Sequence, residues 1–329
     1  MSGEALRVGV LGAARIAPMA LLRPARQVPG VEVSAVAARD VDKARRFARK
    51  HGIPRVFENY DALLADPDVD AVYVPLPNGL HADWTIRAIE AGKHVLCEKP
   101  FTANAGEAER VAKAARASDR VVMEAFHWRY HPLAERMIEI VASGRLGRIR
   151  RIETAMCIPL PLPGDIRYRL DLAGGAMMDT GCYAIHILRH LAGEEPVEVT
   201  SAKALLSSPR VDRAMDAEVR FADGRVGRIA CSLFSAKILK MSARVVGDAG
   251  QLDVFNPVAP QVYHRLKLHT AAGTEVERLT RDPSYLFQLR AFEAAVRDGA
   301  PFPTGVDDAV ANMRLVDGIY EKSGLGPRG

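Results

Sequence analysis

Between residues 6 and about 122, short runs that are almost wholly apolar alternate with longer runs that have the apolar spacing of amphipathic helices. Short apolar strands separated by helices are typical of βαβ units and a parallel sheet. The predicted strands cover residues 6–11, 31–37, 71–74, 93–97 and 120–123, and the predicted helices cover 16–27, 41–51, 83–91 and 107–117. Right-handed crossovers then predict a doubly wound sheet with its ligand crevice at the carboxyl ends of the strands.

The pattern changes after about Glu124, where strand-like runs follow one another without intervening helices. Such a succession favours a largely antiparallel sheet. We therefore predict an α/β chain with a Rossmann domain over residues 1–124 and an α+β domain over residues 125–329. The second domain's strands are predicted at 149–158, 197–205, 217–221, 226–234, 242–246, 251–255 and 261–269, with helices at 132–143, 285–296 and 307–322.

Composition and charge exclude several classes of protein. The chain has 329 residues, of which 48% are apolar, as expected for two ordinary globular cores. Its net charge of +5 arises from basic residues that are mixed with 40 acidic ones, so we expect no nucleic-acid partner. The four cysteines are isolated, which predicts reduced thiols. The sequence has no apolar run long enough to span a membrane, and its N-terminus lacks the regions of an export signal, so we predict a cytoplasmic protein.

The turn after the first strand has the layout of a dinucleotide-binding loop. Gly12 would make the tight turn, Ala14 stands where a second glycine is usual, and Arg15 and Ile16 lead into the helix. Backbone N–H groups at such a helix start can hold a pyrophosphate. The alternative is a plain strand-to-helix turn without a ligand.

The end of the second predicted strand indicates which dinucleotide binds. An NAD enzyme normally places an acid here to hold the ribose 2′-hydroxyl, whereas this chain has Ala38 and then Arg39. A guanidinium beside small side chains suits the 2′-phosphate of NADP. The competing interpretation makes Asp40 the ribose ligand of NAD, although Asp40 is also well placed to cap the helix that follows.

Two further stretches place titratable groups where a fold usually needs apolar ones. Lys99 follows a predicted strand, while Asp179 and Tyr183 lie four residues apart on one face of a starting helix after Gly174-Gly175. A lysine, an acid and a phenol form a proton-transfer set. Together with a nucleotide-binding first half, this set suggests hydride transfer at an alcohol or carbonyl carbon.

The order of these motifs resembles the glucose-fructose oxidoreductase and inositol dehydrogenase (Gfo/Idh/MocA) family over nearly the whole chain. The motifs are the Rossmann opening, residues 75–81, Glu98-Lys99-Pro100, residues 174–183 and the closing run 287–292. Residues 36–40 and 121–125 are similar to the NADP-dependent dihydrodiol dehydrogenase branch. The resemblance also implies that the second domain binds substrate and that its open sheet face forms a homodimer or homotetramer.

The resemblance assigns a role to each matching residue. Lys99 would hydrogen-bond the reacting oxygen, Tyr183 would donate or accept the proton, and Asp179 would orient the substrate hydroxyls. The cofactor would meet Glu98 at its nicotinamide ribose and would also contact Lys99, with Asn78 and His81 lining its pocket. Taken singly, each of the first three has a simpler interpretation, as a surface lysine, a half-buried tyrosine or a helix cap.

The segment around the predicted domain junction supplies candidate substrate contacts. Arg129 is the strongest candidate, followed by its neighbour Trp128 and by His186, which lies one turn after Tyr183. The histidine pairs 127/131 and 186/190 raise a metal hypothesis, but Pro132 and the lack of an accompanying glutamate lead us to predict no metal. The proline-rich tract 158–168 either covers the pocket or is a plain connector.

These observations predict an NADP(H)-dependent oxidoreductase acting on a carbinol or carbonyl carbon of a small sugar, cyclitol or related diol. Two alternatives stay open. One is an NAD-dependent glycosidase of the same family, which tends to carry an export signal and an acid at the second strand. The other is a non-catalytic protein that senses NADP.

Overall fold

The computed structural model describes residues 4–162, 164–237 and 239–329. The chain divides into two compact units. Unit 1 takes the chain up to Thr102 together with Gly106–His127 and Tyr285–Val310, and unit 2 takes Ala103–Ala105, Trp128–Ser284 and the chain from Ala311 onward. Residues 285–310 thus pack within unit 1, whereas the boundary predicted at residue 124 assigns them to the second domain. Hydrophobic periodicity is a local property, so it cannot show that the chain returns to its first unit.

Unit 1 is built on a parallel sheet that confirms the doubly wound prediction. Its strands run in the spatial order β3-β2-β1-β4-β5-β6, so the strand order reverses between β1 and β4. The strands are β1 (Leu6–Leu11), β2 (Val31–Ala37), β3 (Arg55–Phe57), β4 (Ala71–Val74), β5 (His94–Cys97) and β6 (Val122–Glu124). Only the three-residue β3 has no counterpart in the predictions, because it is too short to show a periodicity.

Most helices follow the predicted amphipathic runs, but the helix at 60–64 has no predicted counterpart, and the one at 182–192 was predicted only as a helix that starts near Asp179 and Tyr183. They are α1 (Arg23–Ala25), α2 (Val41–His51), α3 (Tyr60–Leu64), α4 (His81–Glu90), α5 (Ala105–Arg116), α6 (Pro132–Ala142), α7 (Cys182–Ala192), α8 (Ser284–Asp298) and α9 (Val306–Lys322). The helix predicted at 16–27 is present over a shorter span, as a π-helical turn, Pro18–Leu22, that continues directly into the short α1. Leu22 and Arg23 at the join both have right-handed helical backbone angles.

Unit 2 contains a mostly antiparallel sheet, as predicted, although it has eight strands where seven were predicted, in the order β14-β13-β12-β11-β7-β10-β9-β8. The strands are β7 (Ile149–Cys157), β8 (Glu198–Ser208), β9 (Val211–Arg220), β10 (Val226–Ser232), β11 (Lys240–Gly247), β12 (Gly250–Phe255), β13 (Arg265–Thr270) and β14 (Gly273–Glu277). Among the strands that the structure describes in this sheet, β7 and β10 are the one parallel pair. The fold class predicted from the sequence is confirmed.

The two faces of this sheet differ in character. On one face Thr154 donates its hydroxyl to the carbonyl of Ala184 in α7, at 2.8 Å. On the other face charged side chains pair across strands, as Arg244 does with Asp253. The assembly expected at this second face stays a prediction. Among the residues that the structure describes, none of the helices is both apolar enough and long enough to pass through a membrane.

Candidate active site

The turn after β1 has the strained glycine that the motif requires. Gly12 has a φ of +111°, a conformation that residues with a side chain rarely adopt. Its N–H donates to the carbonyl of Ala37 at the end of β2, at 2.7 Å, so the turn is fixed against the neighbouring strand. Ala14 and Ile16 are half-buried and Arg15 is exposed, so the start of the following segment is open to a ligand.

The end of β2 presents an arginine and not an acid. Ala38 is buried, while Arg39 is exposed. The Asp40 carboxylate accepts the N–H groups of Asp42 and Lys43, each at 3.0 Å, and these bonds lower its pKa. Asp40 is therefore the N-cap of α2, as predicted, which commits its carboxylate to the helix and leaves Arg39 as the charged group available to a cofactor.

Tyr60 is a residue of this region that sequence reasoning missed. Burial raises the pKa of its phenol, opposed by a hydrogen bond from the backbone of Arg39. A side-chain carbon at Gly12 would lie 3.8 Å from the Tyr60 hydroxyl. Tyr60 thus lies between the Gly12 turn and Arg39. No local sequence motif predicts this position.

Lys99 lies two residues after the end of β5 and is half-buried. Its neighbour Glu98 is a buried carboxylate that accepts the hydroxyl of Tyr73, at 2.6 Å. Burial and the charge of Glu98 raise the pKa of Tyr285, whose ring stacks on His127 with centroids 4.0 Å apart. Glu98 is thus held inside unit 1, and its contact with a nicotinamide ribose stays a prediction.

His81 supports the segment that carries Lys99. Its ring is fully buried, with Nδ1 2.7 Å from the carbonyl of Pro100 and Nε2 2.8 Å from that of Leu76. Burial lowers its pKa, while the contacts with the two carbonyls raise it. The ring therefore connects the loop at Leu76 to the loop at Pro100, and in its neutral form it can donate to only one of the two carbonyls. Asn78 is half-buried and begins the turn before α4. The cofactor contacts predicted for both residues stay predictions.

The Gly174-Gly175 turn in unit 2 is defined by close backbone contacts. Gly174 donates to the carbonyl of Arg169, and Gly175 to that of Arg167, each at 2.8 Å. A side chain at Gly174 would lie 2.6 Å from the Arg167 carbonyl oxygen. Gly175 has a φ of +140°, so both glycines are required by the geometry.

A buried ionic cluster anchors the other side of this turn. Asp212 accepts the Met177 N–H at 2.7 Å, the Tyr320 hydroxyl at 2.8 Å and an N–H of Arg328 at 2.9 Å. Arg328 also donates from Nε to the carbonyl of Gly174, at 3.1 Å. Both members of the ion pair are fully buried, so the turn is fixed by charges that cannot reach water.

Asp179 and Tyr183 follow the anchored turn. Asp179 lies inside the π-helical turn Met177–Gly181, where its N–H donates to the carbonyl of Gly175, so it is not the N-cap of a helix. Its carboxylate pairs with Nε of Arg167, at 3.0 Å. Tyr183 is buried in the first turn of α7. Because Lys99 belongs to unit 1 and this pair to unit 2, their convergence on one substrate stays a prediction.

The predicted substrate contacts around residue 128 form a polar core cluster in unit 2. Trp128 and His186 are fully buried, and the indole N–H donates to His186 Nδ1 at 3.1 Å. Arg129 is half-buried and donates to Nδ1 of His190, at 3.3 Å. Direct substrate contact by Trp128 or His186 stays a prediction. The complete burial of both side chains argues against it.

The same hydrogen bonds bear on the metal hypothesis. Each Nδ1 accepts an N–H, and the two Nε2 atoms lie 3.2 Å apart. Two neutral rings protonated on Nε2 would point both protons at each other there, so the hydrogen bonds alone do not argue against a metal. Among the described residues, the ligand atoms of His186, His190 and Asp308 lie within 4.8 Å of one another, an arrangement that could hold a metal ion. His131, from the other pair, accepts the Leu133 N–H as the N-cap of α6. The absence of a metal stays a prediction.

The proline-rich tract is more than a connector in its second half. Pro163 lies outside the described residues. The Tyr168 hydroxyl donates to the carbonyl of Leu160 at 2.7 Å, which closes the tract on itself, and Asp165 caps the turn Ile166–Tyr168. The tract positions Arg167 so that its Nε pairs with the Asp179 carboxylate. No sequence motif predicted this ion pair.

Comparisons with known proteins agree with this description. Residues 6–126 match the model of an oxidoreductase family with an NAD-binding Rossmann fold, and residues 134–253 match the GFO/IDH/MocA C-terminal domain. A D-xylose 1-dehydrogenase (NADP(+)) from Haloferax volcanii is 37% identical over 97% of both chains. A dTDP-3,4-didehydro-2,6-dideoxy-alpha-D-glucose 3-reductase from Streptomyces violaceoruber is 36% identical over 98% of this chain and 96% of its own.

Solved structures give the same result. A 3-ketoreductase from Actinomadura kijaniata, crystallised with NADP and TDP-benzene, superposes with a TM-score of 0.89 at 32% identity, covering 97% of this chain and 98% of its own. The predicted similarity to dihydrodiol dehydrogenases is present too, at 29% identity over 68% of this chain for the Xenopus tropicalis enzyme. The chain is therefore an oxidoreductase, and it belongs to the Gfo/Idh/MocA family.

Proposed function

We propose that this protein is an NADP(H)-dependent oxidoreductase that interconverts an alcohol and a carbonyl group on a sugar, cyclitol or related diol. The observation that carries the proposal is the placement of titratable groups. Lys99 follows β5 of the dinucleotide-binding sheet, and Asp179 and Tyr183 follow the anchored glycine turn of unit 2. Relatives named as a xylose dehydrogenase and a sugar 3-reductase support the substrate class.

The cofactor is proposed to be NADP because of the residues at the end of β2. Ala37 and Ala38 are buried and small, and the Asp40 carboxylate is bound to the N-terminus of α2. Arg39 remains to bind a 2′-phosphate, for which its planar set of donors is suited. The Gly12 turn would hold the pyrophosphate with backbone N–H groups.

The chain's own residues would manage the proton and the substrate hydroxyls. When bound, NADP supplies a hydride acceptor and its reduced form a hydride donor. During oxidation, Tyr183 in its phenolate form would take the hydroxyl proton and become a phenol, while the Lys99 ammonium donates a hydrogen bond to the same oxygen. Asp179 would accept a hydrogen bond from a neighbouring hydroxyl and so fix the orientation of the ring. In reduction the proton moves in the opposite direction.

A screen of nicotinamide absorbance tests the proposal. Wild-type protein is mixed with aldoses and cyclitols and with NADP or NAD in parallel, and Lys99→Ala and Tyr183→Phe are measured beside it. We expect turnover with NADP, and a loss of at least about 100-fold in kcat for each variant, the scale of general acid–base catalysis. NADP affinity, followed by fluorescence titration, should stay within about threefold of wild type, since the Gly12 turn and Arg39 are proposed to supply most of the cofactor's binding.

Two results would contradict the proposal. Tight NADP binding without turnover of any sugar or cyclitol would favour a sensor protein. Release of the leaving group from a chromogenic glycoside, with no net change in the cofactor, would favour a glycosidase.

A further inference from the structure

Arg167 joins the predicted catalytic carboxylate to a second one. Its Nε lies 3.0 Å from an Asp179 oxygen, and one of its terminal nitrogens donates to Asp165 at 3.1 Å. Its backbone is equally constrained, because its N–H donates to Asp165 and its carbonyl accepts from Gly175. Arg167 is thus fixed both to its own loop and to the glycine turn that precedes Asp179.

The exposure of the three side chains shows which of them a ligand can reach. The Asp165 side chain is 3% exposed, Asp179 is 15% exposed and Arg167 is 38% exposed. Asp165 is therefore a buried support, while Asp179 and Arg167 present polar edges to solvent. A guanidinium has five N–H donors, and the contacts of Arg167 with Asp165 and Asp179 involve only one terminal nitrogen and Nε.

The charges of this cluster, defined as Asp165, Arg167 and Asp179, do not cancel. Burial opposes the charge on Arg167, but the carboxylates of Asp179 and Asp165 outweigh it and raise its pKa. With both carboxylates ionised, the cluster carries one net negative charge. An anionic group bound against it would meet repulsion in a partly buried setting, where charges are poorly screened.

We propose that Arg167 is a substrate-binding residue that acts together with Asp179 on two neighbouring hydroxyl groups of the substrate. One hydroxyl donates to Asp179 and the other accepts from Arg167. The net charge of the cluster makes this subsite selective for sugars that are uncharged there, against sugar acids. The proposal rests on the proposed function only in that it takes Asp179 to face the substrate.

The test uses a neutral and an anionic ligand of nearly the same shape, D-glucuronamide and D-glucuronate. Dissociation constants for both are measured by NADPH fluorescence on the NADPH-loaded protein, so the readout does not require turnover. We expect wild type to bind the amide about tenfold more tightly than the acid, as a like-charge contact at reduced dielectric implies. Because the two ligands are nearly isosteric, the ratio reports charge and not fit.

Three variants separate charge from hydrogen bonding. Asp165→Asn keeps an oxygen for the Arg167 N–H but makes the cluster neutral, so the amide-to-acid preference should fall to about twofold or less. Arg167→Met should weaken amide binding about tenfold, the scale of a charged hydrogen bond. Arg167→Lys keeps the charge and should retain the preference, but it should recover only part of the affinity, because an ammonium lacks the planar donor set. Thermal unfolding of each variant shows whether it is folded.

The inference fails if wild type binds the acid as tightly as the amide, or if Asp165→Asn leaves the ratio unchanged in folded protein. It also fails if Arg167→Met binds the amide as wild type does. Absence of sugar turnover with the expected binding ratios would refute the proposed function alone, so the two failures are distinguishable.

Discussion

Replacing Gly175 by alanine should destabilise unit 2 strongly, because the added carbon would enter the buried ionic cluster. The new Cβ would overlap an Asp212 carboxylate oxygen and lie 2.6 Å from the Tyr320 hydroxyl. It would also force a side chain into a φ of +140°, a strain of about 1–3 kcal/mol. Displacing one member of a fully buried ion pair costs about 3–5 kcal/mol, so the free energy of unfolding should fall by about 4 kcal/mol or more.

The assay is the midpoint of thermal unfolding, with Gly193→Ala as the matched control. Gly193 also has a positive φ, +73°, but a side chain there would meet no atom within 4 Å. Its substitution should therefore cost only the backbone strain, about 1–2 kcal/mol. For a domain of this size each kcal/mol lowers Tm by roughly 2–4 °C, so Gly175→Ala should lower it by roughly 8 °C or more and the control by a few degrees. Equal shifts for the two variants would refute the argument that the Asp212 cluster fills this space.

Three other predictions concern the cofactor loop and the pH dependence of stability. Arg39→Ala should shift the ratio of kcat/KM for NADP and NAD towards NAD by about 1–3 kcal/mol, measured by steady-state kinetics, and an unchanged ratio would discredit the arginine. Asp40→Ala should lower the free energy of unfolding by about 1 kcal/mol in thermal melts, through loss of the helix cap, while leaving the NADP-to-NAD ratio unaltered. Burial and then the neighbouring His264 lower the pKa of His131 from 6.5 to about 4. The unfolded chain therefore binds more protons between these values, and stability present above pH 6.5 is lost as the pH falls towards 4. His131→Asn keeps an N-cap residue but removes the titrating group. The urea midpoints of this variant at pH 7 and pH 5 should therefore differ less than those of wild type. A difference as large as that of wild type would exclude His131 as the source of the pH dependence.

Local patterns were sufficient to predict most of the fold. The strands β1, β2 and β4 begin and end where the apolar runs do, because a parallel strand buried on both faces shows as a continuous apolar segment. Asp40 was predicted as a cap from its position alone, and the structure confirms it. The helix predicted at 16–27 is present but shorter, and its first part is a π-helical turn, a detail that hydrophobic spacing does not distinguish.

The supports of the candidate site could not be predicted from local patterns. Asp212 and Arg328 meet the glycine turn from β9 and from the segment after α9, and neither lies near the turn in sequence. Tyr73 reaches Glu98 from the neighbouring strand, and in sequence it resembles an ordinary buried aromatic. Such contacts depend on how distant elements pack, which one chain's periodicity does not encode.

The central claim is that this protein moves a hydride between a sugar carbon and a nicotinamide, with Lys99 and Tyr183 handling the proton. The most direct measurement uses the sugar that reacts best in the NADP screen, carrying deuterium at the carbon that is oxidised. The account predicts that mass spectrometry finds the deuterium in the reduced cofactor, that turnover slows relative to the unlabelled sugar, and that Lys99→Ala forms no labelled cofactor although it still binds NADP. Product formed without deuterium in the cofactor, or undiminished labelling by Lys99→Ala, would contradict it.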